Sequence, residues 1–359
     1  MKILFVHYVM DVGGVESFIM NVSRLLYSNN EIHYLTFDNP EQKFYYEDEI
    51  KANNGKIYKL NKKSSSEISF IKNLVKIMKT EKYDVVHSNS YVITGEILLA
   101  AFLAGVKVRV AHSHSSWEAK GFKQKVKYFV AKSLIKLFAT RKIACSELAG
   151  IRLFGRSKYQ ILENGVNLEK YKFDFSVRNS IREHYNISEN EKVIGHVGRF
   201  DKVKNHKFIV ELFDHLTKNK DGYKLMLVGN GDEFENIKTL VATKKLEDKV
   251  IFVGQVDCAN IYYNAMDCMI FPSFYEGLPF TFVEAQINGL NIVASDTISK
   301  SSNLIGNVSF LSLDDNIEIW ASMIKKNSIE RNFDEEYFLN SNYNLDNTLK
   351  KLLSIYTNK

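Results

Sequence analysis

At 359 residues the chain is too long for one ordinary core and suits two α/β domains of roughly 150–180 residues each. Hydrophobic residues make up 45% and charged residues 25%, with three prolines, which excludes a disordered or fibrous chain. The net charge of +6 admits anionic partners (nucleotide phosphates, acidic lipid, nucleic acid) without choosing among them.

The chain opens on a short apolar run at 2–9, too brief for a signal peptide and read as a buried parallel strand. Gly13-Gly14 follows, then helical spacing over 15–22. Strand, glycine turn and helix are the opening of a Rossmann-like βαβ unit. Strands are predicted at 31–37, 56–60, 83–87, 107–112, 141–145 and 158–162. Helices are predicted between them at 67–80, 92–104, 122–139 and 146–153. Residues 168–190 are polar and read as irregular with one short helix at 178–185. A second series then begins, with strands at 192–198, 223–228, 249–253, 267–271, 291–295 and 308–311. Its helices are predicted at 205–218, 232–243, 257–265 and 280–288, and a final helix at 346–356. The pattern implies two doubly wound α/β domains, 1–170 and 171–340, followed by a terminal helix in 341–359. Ligands of such sheets bind beyond the carboxyl ends of the strands, so a cleft between the two domains is the expected site.

Cys145, Cys258 and Cys268 form no C-x-x-C pair, and an odd count makes no disulfide framework, so a reducing cytoplasm is expected. No run approaches the ~18 apolar residues of a membrane-spanning helix.

The segment 271–288 carries the strongest chemistry. A strand ends near Phe271, a loop brings Glu276 and Gly277, Pro279 stands where the first helical residue would be, and the helix carries Glu284. A helix N-terminus presents free amides and partial positive charge, which suit a diphosphate. One acid before the helix and one a turn inside it reach different parts of an extended ligand, and carboxylates bind sugar and ribose hydroxyls well. After the first strand of the second half, Arg199 and Lys204 provide a fork and a point charge for a diphosphate.

These residues resemble the Glu-x7-Glu signature and the Gly-Arg-hydrophobic…Lys pattern of family 4 glycosyltransferases, retaining enzymes of the GT-B fold. The resemblance is specific over 195–296 and looser over 1–170, and 285–296 is similar to the capsule and exopolysaccharide members. It implies that Glu276 contacts the donor sugar and Glu284 the ribose, while the backbone of Gly277, Leu278 and Pro279 approaches sugar and phosphate. Arg199 and Lys204 would hold the diphosphate, with the turns at 229–232 and 254–256 near it and near the base. Gly14 belongs to a segment, Gly13-Gly14, that resembles the family's glycine loop, which implies a donor-binding turn where phosphate or acceptor approaches the backbone closely. The resemblance also implies that the helix in 341–359 crosses back to the first domain. A histidine at the end of the strand at 107–112 would face the donor sugar; His114 aligns better than His112, and His87 is a candidate for the acceptor side.

The implied reaction is hexose transfer with retention from a nucleotide-sugar, on family grounds a UDP-sugar, to a glycan or polyprenyl-diphosphate-linked acceptor. No cofactor is expected. The sequence has no Asp-x-Asp, and Arg199, Lys204 and helix termini are expected to neutralise the leaving group without a metal. In 120–142 the cations Lys120, Lys123, Lys125, Lys127, Lys132, Lys136, Arg141 and Lys142, interleaved with Phe122, Tyr128, Phe129, Leu134 and Leu137, read as a basic amphipathic helix for an anionic membrane surface, giving a cytoplasmic protein peripheral on the inner face. No nucleic-acid module is present, and no nucleic-acid partner is expected. A partner-dependent, non-catalytic subunit and a GT-B sugar-nucleotide epimerase stay open as alternatives.

Overall fold

A computed structural model of the chain describes residues 1–11, 13–37, 41–62, 66–115, 121–218, 222–256, 259–276, 279–327 and 330–357. The chain divides into two compact units, Met1–Gly165 with Asn342–Lys359, and Val166–Ser341.

In the first unit β1 (Lys2–Val6), α1 (Gly14–Leu26), β2 (Glu31–Thr36), α2 (Glu47–Ala52) and β3 (Ile57–Lys59) are followed by α3 (Glu67–Glu81) and β4 (Val85–Ser88). Then come α4 (Thr94–Leu103), β5 (Val108–Ser113), α5 (Phe122–Phe138), β6 (Arg141–Ala144), α6 (Glu147–Phe154) and β7 (Gln160–Ile161). Every strand pairing is parallel, in the order β3-β2-β1-β4-β5-β6-β7. The order reverses between β1 and β4, which is the topological switch point. Local signals set the helix ends: Ser66 and Ser146 cap α3 and α6 by accepting from Ser69 N and Ala149 N. Close helix packing explains Gly95 on α4, where a Cβ would lie 2.9 Å from the Ala131 carbonyl of α5.

The second unit begins with α7 (Leu168–Tyr171) and α8 (Phe175–His184), where one short helix was expected. Asp174 starts α8 early by accepting from Ser176 N at 2.8 Å and Val177 N at 3.2 Å. Next come β8 (Lys192–Val197), α9 (His206–Thr217), β9 (Tyr223–Val228), α10 (Phe234–Thr243), β10 (Val250–Gly254) and α11 (Asn260–Ala265). β11 (Cys268–Phe271), α12 (Phe280–Ile287), β12 (Asn291–Ser295), β13 (Val308–Leu311), α13 (Ile317–Asn327) and α14 (Glu335–Asn340) complete it. This sheet is also parallel, in the order β10-β9-β8-β11-β12-β13, and its switch point lies between β8 and β11. Alternate strand residues serve two cores: Ile194, Leu225, Leu227 and Ile270 pack with α9, α10 and α13, while Val193, Met226, Val228 and Met269 pack with α11 and α12. Each such side chain contributes about 1.5–3 kcal/mol by leaving water. Helices α2, α13 and α14 were not anticipated; α13 buries Trp320, Ala321 and Ile324, an apolar stripe too short to stand out from its polar surroundings.

The last helix, α15 (Leu345–Thr357), belongs to the first unit. Tyr356 OH lies 2.6 Å from His87 Nδ1, and Arg141 Nε donates to the Ile355 carbonyl at 3.0 Å. Arg141 therefore leaves the basic surface on which the sequence reading had placed it.

Candidate functional site

In the second unit the loops leaving β8 and β11 flank the switch point, and the sequence makes both rigid. Phe200 is fully buried, and its N–H donates to Asn230 O at 3.0 Å while its carbonyl accepts from Glu233 N at 2.9 Å. A Cβ on Gly229 would lie 2.0 Å from Gly198 O, and one on Gly231 would lie 2.5 Å from Phe200 O. Both glycines have positive φ, so the turn after β9 is pressed flat against the loop after β8 in a way no other residue permits. Phe274 N donates to Val203 O at 2.9 Å and ties in the loop after β11.

On this scaffold Arg199 is exposed, with Asp232 3.7 Å away across the glycine turn. Asp201 accepts from Lys204 N at 3.1 Å and fixes the short turn that presents Lys204. Lys204 forms an ion pair with Glu276. Both side chains are about five-sixths buried, so the pair is largely shielded from solvent, and the ammonium also stands 5.2 Å over the Phe271 ring. Ser273 Oγ donates to the same Glu276 oxygen at 3.3 Å. Ser273 is itself held through its carbonyl by Ser295 Oγ at 2.6 Å and Thr297 Oγ1 at 2.8 Å. Gly277 and Leu278 lie outside the described residues. Pro279 is the N-cap of α12 rather than its first residue, because its ψ of 138° is extended; Phe280 opens the helix. Glu284 follows one turn in, and its Oε2 accepts from Tyr263 OH at 2.8 Å. Burial pushes the Glu284 carboxyl above its ordinary value, opposed by hydrogen bonds from Tyr263 and Tyr171 and by the charge of Lys170.

Beneath the loop, His206 stacks on Phe200 with ring centroids 4.0 Å apart, and His196 Nδ1 meets Ile270 O at 2.8 Å. Burial pushes them down to about 2 and about 4, so both rings are neutral at physiological pH. The loop's positive charge is that of Arg199, Lys202 and Lys204, not of the histidines beneath it.

In the first unit the equivalent loops leave β1 and β4. Gly13 caps α1 and Gly14 opens it. A Cβ on Gly13 would lie 2.4 Å from Glu16 Oε2, so the glycine leaves room for an acid of the helix's first turn. Glu16 reaches His7 Nε2 at 3.4 Å, and His7 Nδ1 meets the Asn89 carbonyl at 3.0 Å. Asn89 Oδ1 lies 2.8 Å from Nε2 of His114, one residue past β5. His114 packs against His112 with centroids 3.8 Å apart and the rings tilted at 40°. His112 is fully buried and joins a chain inward, Nδ1 to His87 Nε2 at 3.1 Å and thence to Tyr356. Burial is the first cause that pushes all three rings well down, His87 to about 3. Of the two histidines left open by the sequence, His114 is the one in contact with a switch-point loop. His87 is core and does not line a surface, which corrects the expectation for it.

Tyr263, Ser273, Glu16, His7 and Asn89 were not singled out from the sequence. Ser273 stands three residues before Glu276 in the same segment, and that spacing could have found it; the other four are partners chosen by the fold, and none sits in a local pattern that would single it out. One described cluster has metal-ligand spacing, Glu31-His33-Glu81, at the amino ends of β1 and β2. Lys2 neutralises its acids at 2.9 and 2.6 Å, so it reads as an ion-pair network remote from the strand ends that carry sites.

Helix α5 exposes Phe122, Val126, Phe129 and Val130, spaced i, i+4, i+7 and i+8 on one stripe, between Lys123, Lys125 and Lys127. Tyr128 and Leu134, counted with that surface from the sequence, face the unit instead; Tyr128 OH meets Tyr91 OH at 3.0 Å. Lys120 lies outside the described residues. Among the described residues no helix is long and apolar enough to cross a membrane.

Residues 12–170 match the family described as Glycosyltransferase Family 4, and residues 177–327 match Glycosyl transferases group 1. The chain is 32% identical to glycosyltransferase EpsF of Bacillus subtilis over 370 residues, covering 99% of this chain and 96% of that protein. It is 27% identical to the capsular polysaccharide biosynthesis glycosyltransferase CapH of Staphylococcus aureus, covering 100% of this chain and 99% of CapH. The fold is similar to that of HepE from Anabaena, crystallised in complex with UDP, with a TM-score of 0.80 at 18% identity and full coverage of both chains.

Proposed function

The chain belongs to the family 4 glycosyltransferases of the GT-B fold, and from that premise we propose that it moves a hexose from a UDP-sugar to a glycan or polyprenyl-diphosphate-linked acceptor in surface polysaccharide synthesis, with retention of configuration. The observation that carries this reading is the switch point of the second unit, where Lys204 and Glu276 meet beside the helix that bears Glu284. A cation, an acid for sugar hydroxyls and an acid for ribose are the groups a nucleotide-sugar requires. CapH, by its name, works in capsule synthesis, and HepE binds UDP; both support the acceptor pathway and the base.

In the proposed reaction Arg199 and Lys204 take the diphosphate, and the amides opening α12 add partial positive charge. Glu276 and His114 orient the sugar. Glu284 holds the ribose, and the backbone of Gly14 and of Gly277–Pro279 lets the ligand approach closely. The bond from the anomeric carbon to the diphosphate oxygen breaks, and the acceptor oxygen bonds on the same face. The acceptor proton passes to the departing diphosphate. His114, neutral through burial, acts as a hydrogen-bonding group and not as a charge. The cations present make a metal unnecessary in this scheme. The exposed stripe of α5 is proposed to lie on an anionic cytoplasmic membrane surface, where a lipid-linked acceptor resides.

The test is transfer from UDP-sugars to lipid-linked acceptor in metal-chelated buffer, with the product's anomeric configuration read by NMR. Retention of configuration, with activity lost in Glu276→Gln, is expected. An inverted product, or activity indifferent to Glu276, would sink the scheme.

A further inference from the structure

Glu284 is an awkward residue for a ribose ligand: it is half-buried, and loss of solvent favours the uncharged acid. An uncharged acid accepts hydrogen bonds from a ribose diol poorly and spends one oxygen as a donor. Something must keep it ionised and point it outward. Tyr263, wholly buried on α11, places its hydroxyl 2.8 Å from Oε2. Tyr263 cannot drift, because its helix is stapled from several sides. Arg331 Nη2 donates to the carbonyls of Tyr263 at 3.1 Å and Asn264 at 3.0 Å, and Arg178 Nη1 donates to Asn264 O at 3.0 Å. Asn288, just past α12, donates to Asn264 Oδ1 at 3.2 Å and joins the two helices directly. Tyr171 lies beside Tyr263, its ring tilted at 54° with 6.1 Å between centroids, and adds its own hydrogen bond to Glu284.

Resting on the reading of Glu284 as the ribose acid, we propose that Tyr263, aided by Tyr171, is a positioning residue that pins one oxygen of Glu284 and so sets recognition of the ribose hydroxyls. The charged and titratable groups facing the carboxylate are these two phenols and Lys170, and all three favour its ionised form. Burial pushes the Tyr263 phenol far above its ordinary value, so it stays a donor at every working pH. Selection for a ribonucleotide over its 2′-deoxy analogue therefore depends on a residue that never touches the ligand.

The measurement is calorimetric binding of UDP and 2′-deoxy-UDP to the full chain between about pH 5 and pH 8. Tyr263→Phe is expected to weaken UDP by roughly 10-fold at neutral pH and to leave 2′-deoxy-UDP nearly unchanged. It should also move the acid limb of UDP binding to higher pH. Equal loss for both nucleotides, or a wild-type ratio and acid limb in a folded variant, overturns the proposal. Tyr171→Phe should shift the ratio the same way by a smaller step, and carries the test if Tyr263→Phe does not fold. Glu284→Gln separates the two failures. If it leaves the UDP preference intact, the ribose reading is wrong; if it abolishes the preference while both phenylalanine variants behave as wild type, only the role of the tyrosines is wrong.

Discussion

Lys204 and Glu276 are each other's partner in the unliganded chain, and that has a consequence for binding. A diphosphate reaching Lys204 competes with Glu276 and releases the carboxylate for the sugar. Glu276→Gln is therefore expected to bind UDP at least as tightly as wild type while transfer falls by roughly 10²–10³-fold, the scale of losing one preorganised charge-stabilising group. Calorimetry and turnover measured on the same preparation check this; weaker UDP binding in the variant contradicts it. Arg199 behaves differently because it is exposed and only loosely paired with Asp232. Arg199→Ala should cost roughly 10- to 100-fold in UDP affinity, the range for a lost charged hydrogen bond, with little change in melting temperature. At this scale Arg199, Lys204, Glu276 and Glu284 were singled out by local spacing, because they fall in two short motifs; the fold places Lys204 against Glu276, and the ligand roles of all four are the proposal these variants test. Tyr263 and Asn89 were not readable, because their partners lie 21 and 25 residues away and are chosen by packing.

Among the elements, the turn after β9 shows how a site is built from backbone. Gly229→Ala would drive a Cβ against Gly198 O, a contact neither backbone can relieve without moving the loop that bears Arg199 and Lys204. The variant is expected to lose both stability, by roughly 1–3 kcal/mol, and UDP affinity. Chemical denaturation and nucleotide titration test this together; lost affinity at unchanged stability would point to a direct ligand contact. Short continuous apolar runs, helical spacing and the glycine turns between them made most strands and long helices legible. Helices α13 and α14 escaped because their apolar residues are few and gain meaning only against the sheet, and Pro279 was misplaced by one position because cap and first turn differ only in ψ. Helix α5 gives an independent test: Phe122→Ser with Phe129→Ser should weaken binding to anionic vesicles several-fold without changing turnover on a soluble acceptor. Unchanged vesicle binding would leave that stripe without the proposed role.

For the whole molecule, both units hide neutral histidines. His87 in the first is pushed down to about 3, and His196 in the second to about 4, from an ordinary value of 6.5. Between those values the unfolded chain binds protons that the folded chain refuses. Stability is thus at its plateau above about pH 6.5 and falls as pH drops toward 4 and then 3, by roughly 1.4 kcal/mol per unit for each such group. Both units should melt progressively earlier over that window. His87→Gln, which retains an acceptor for Tyr356, should flatten the slope, and a melting temperature indifferent to pH between about 6.5 and 4 would contradict the buried neutral assignment. The division into two parallel sheets was legible from the βα rhythm alone, whereas the membership of α15 in the first unit depends on contacts such as Tyr356 with His87.

The central claim is that the second unit binds a nucleotide-sugar through Arg199 and Lys204, and the most direct measurement is a thermal-shift panel of nucleoside diphosphates and their sugars without metal. A ligand that binds only the folded chain raises the melting temperature by mass action. UDP and one UDP-sugar should raise the melting temperature of the native chain, and at the same ligand concentration the rise should be clearly smaller in Arg199→Ala, as a roughly 10- to 100-fold weaker affinity requires. An intact fold that no nucleotide stabilises, or a rise that Arg199→Ala leaves unchanged, would contradict this.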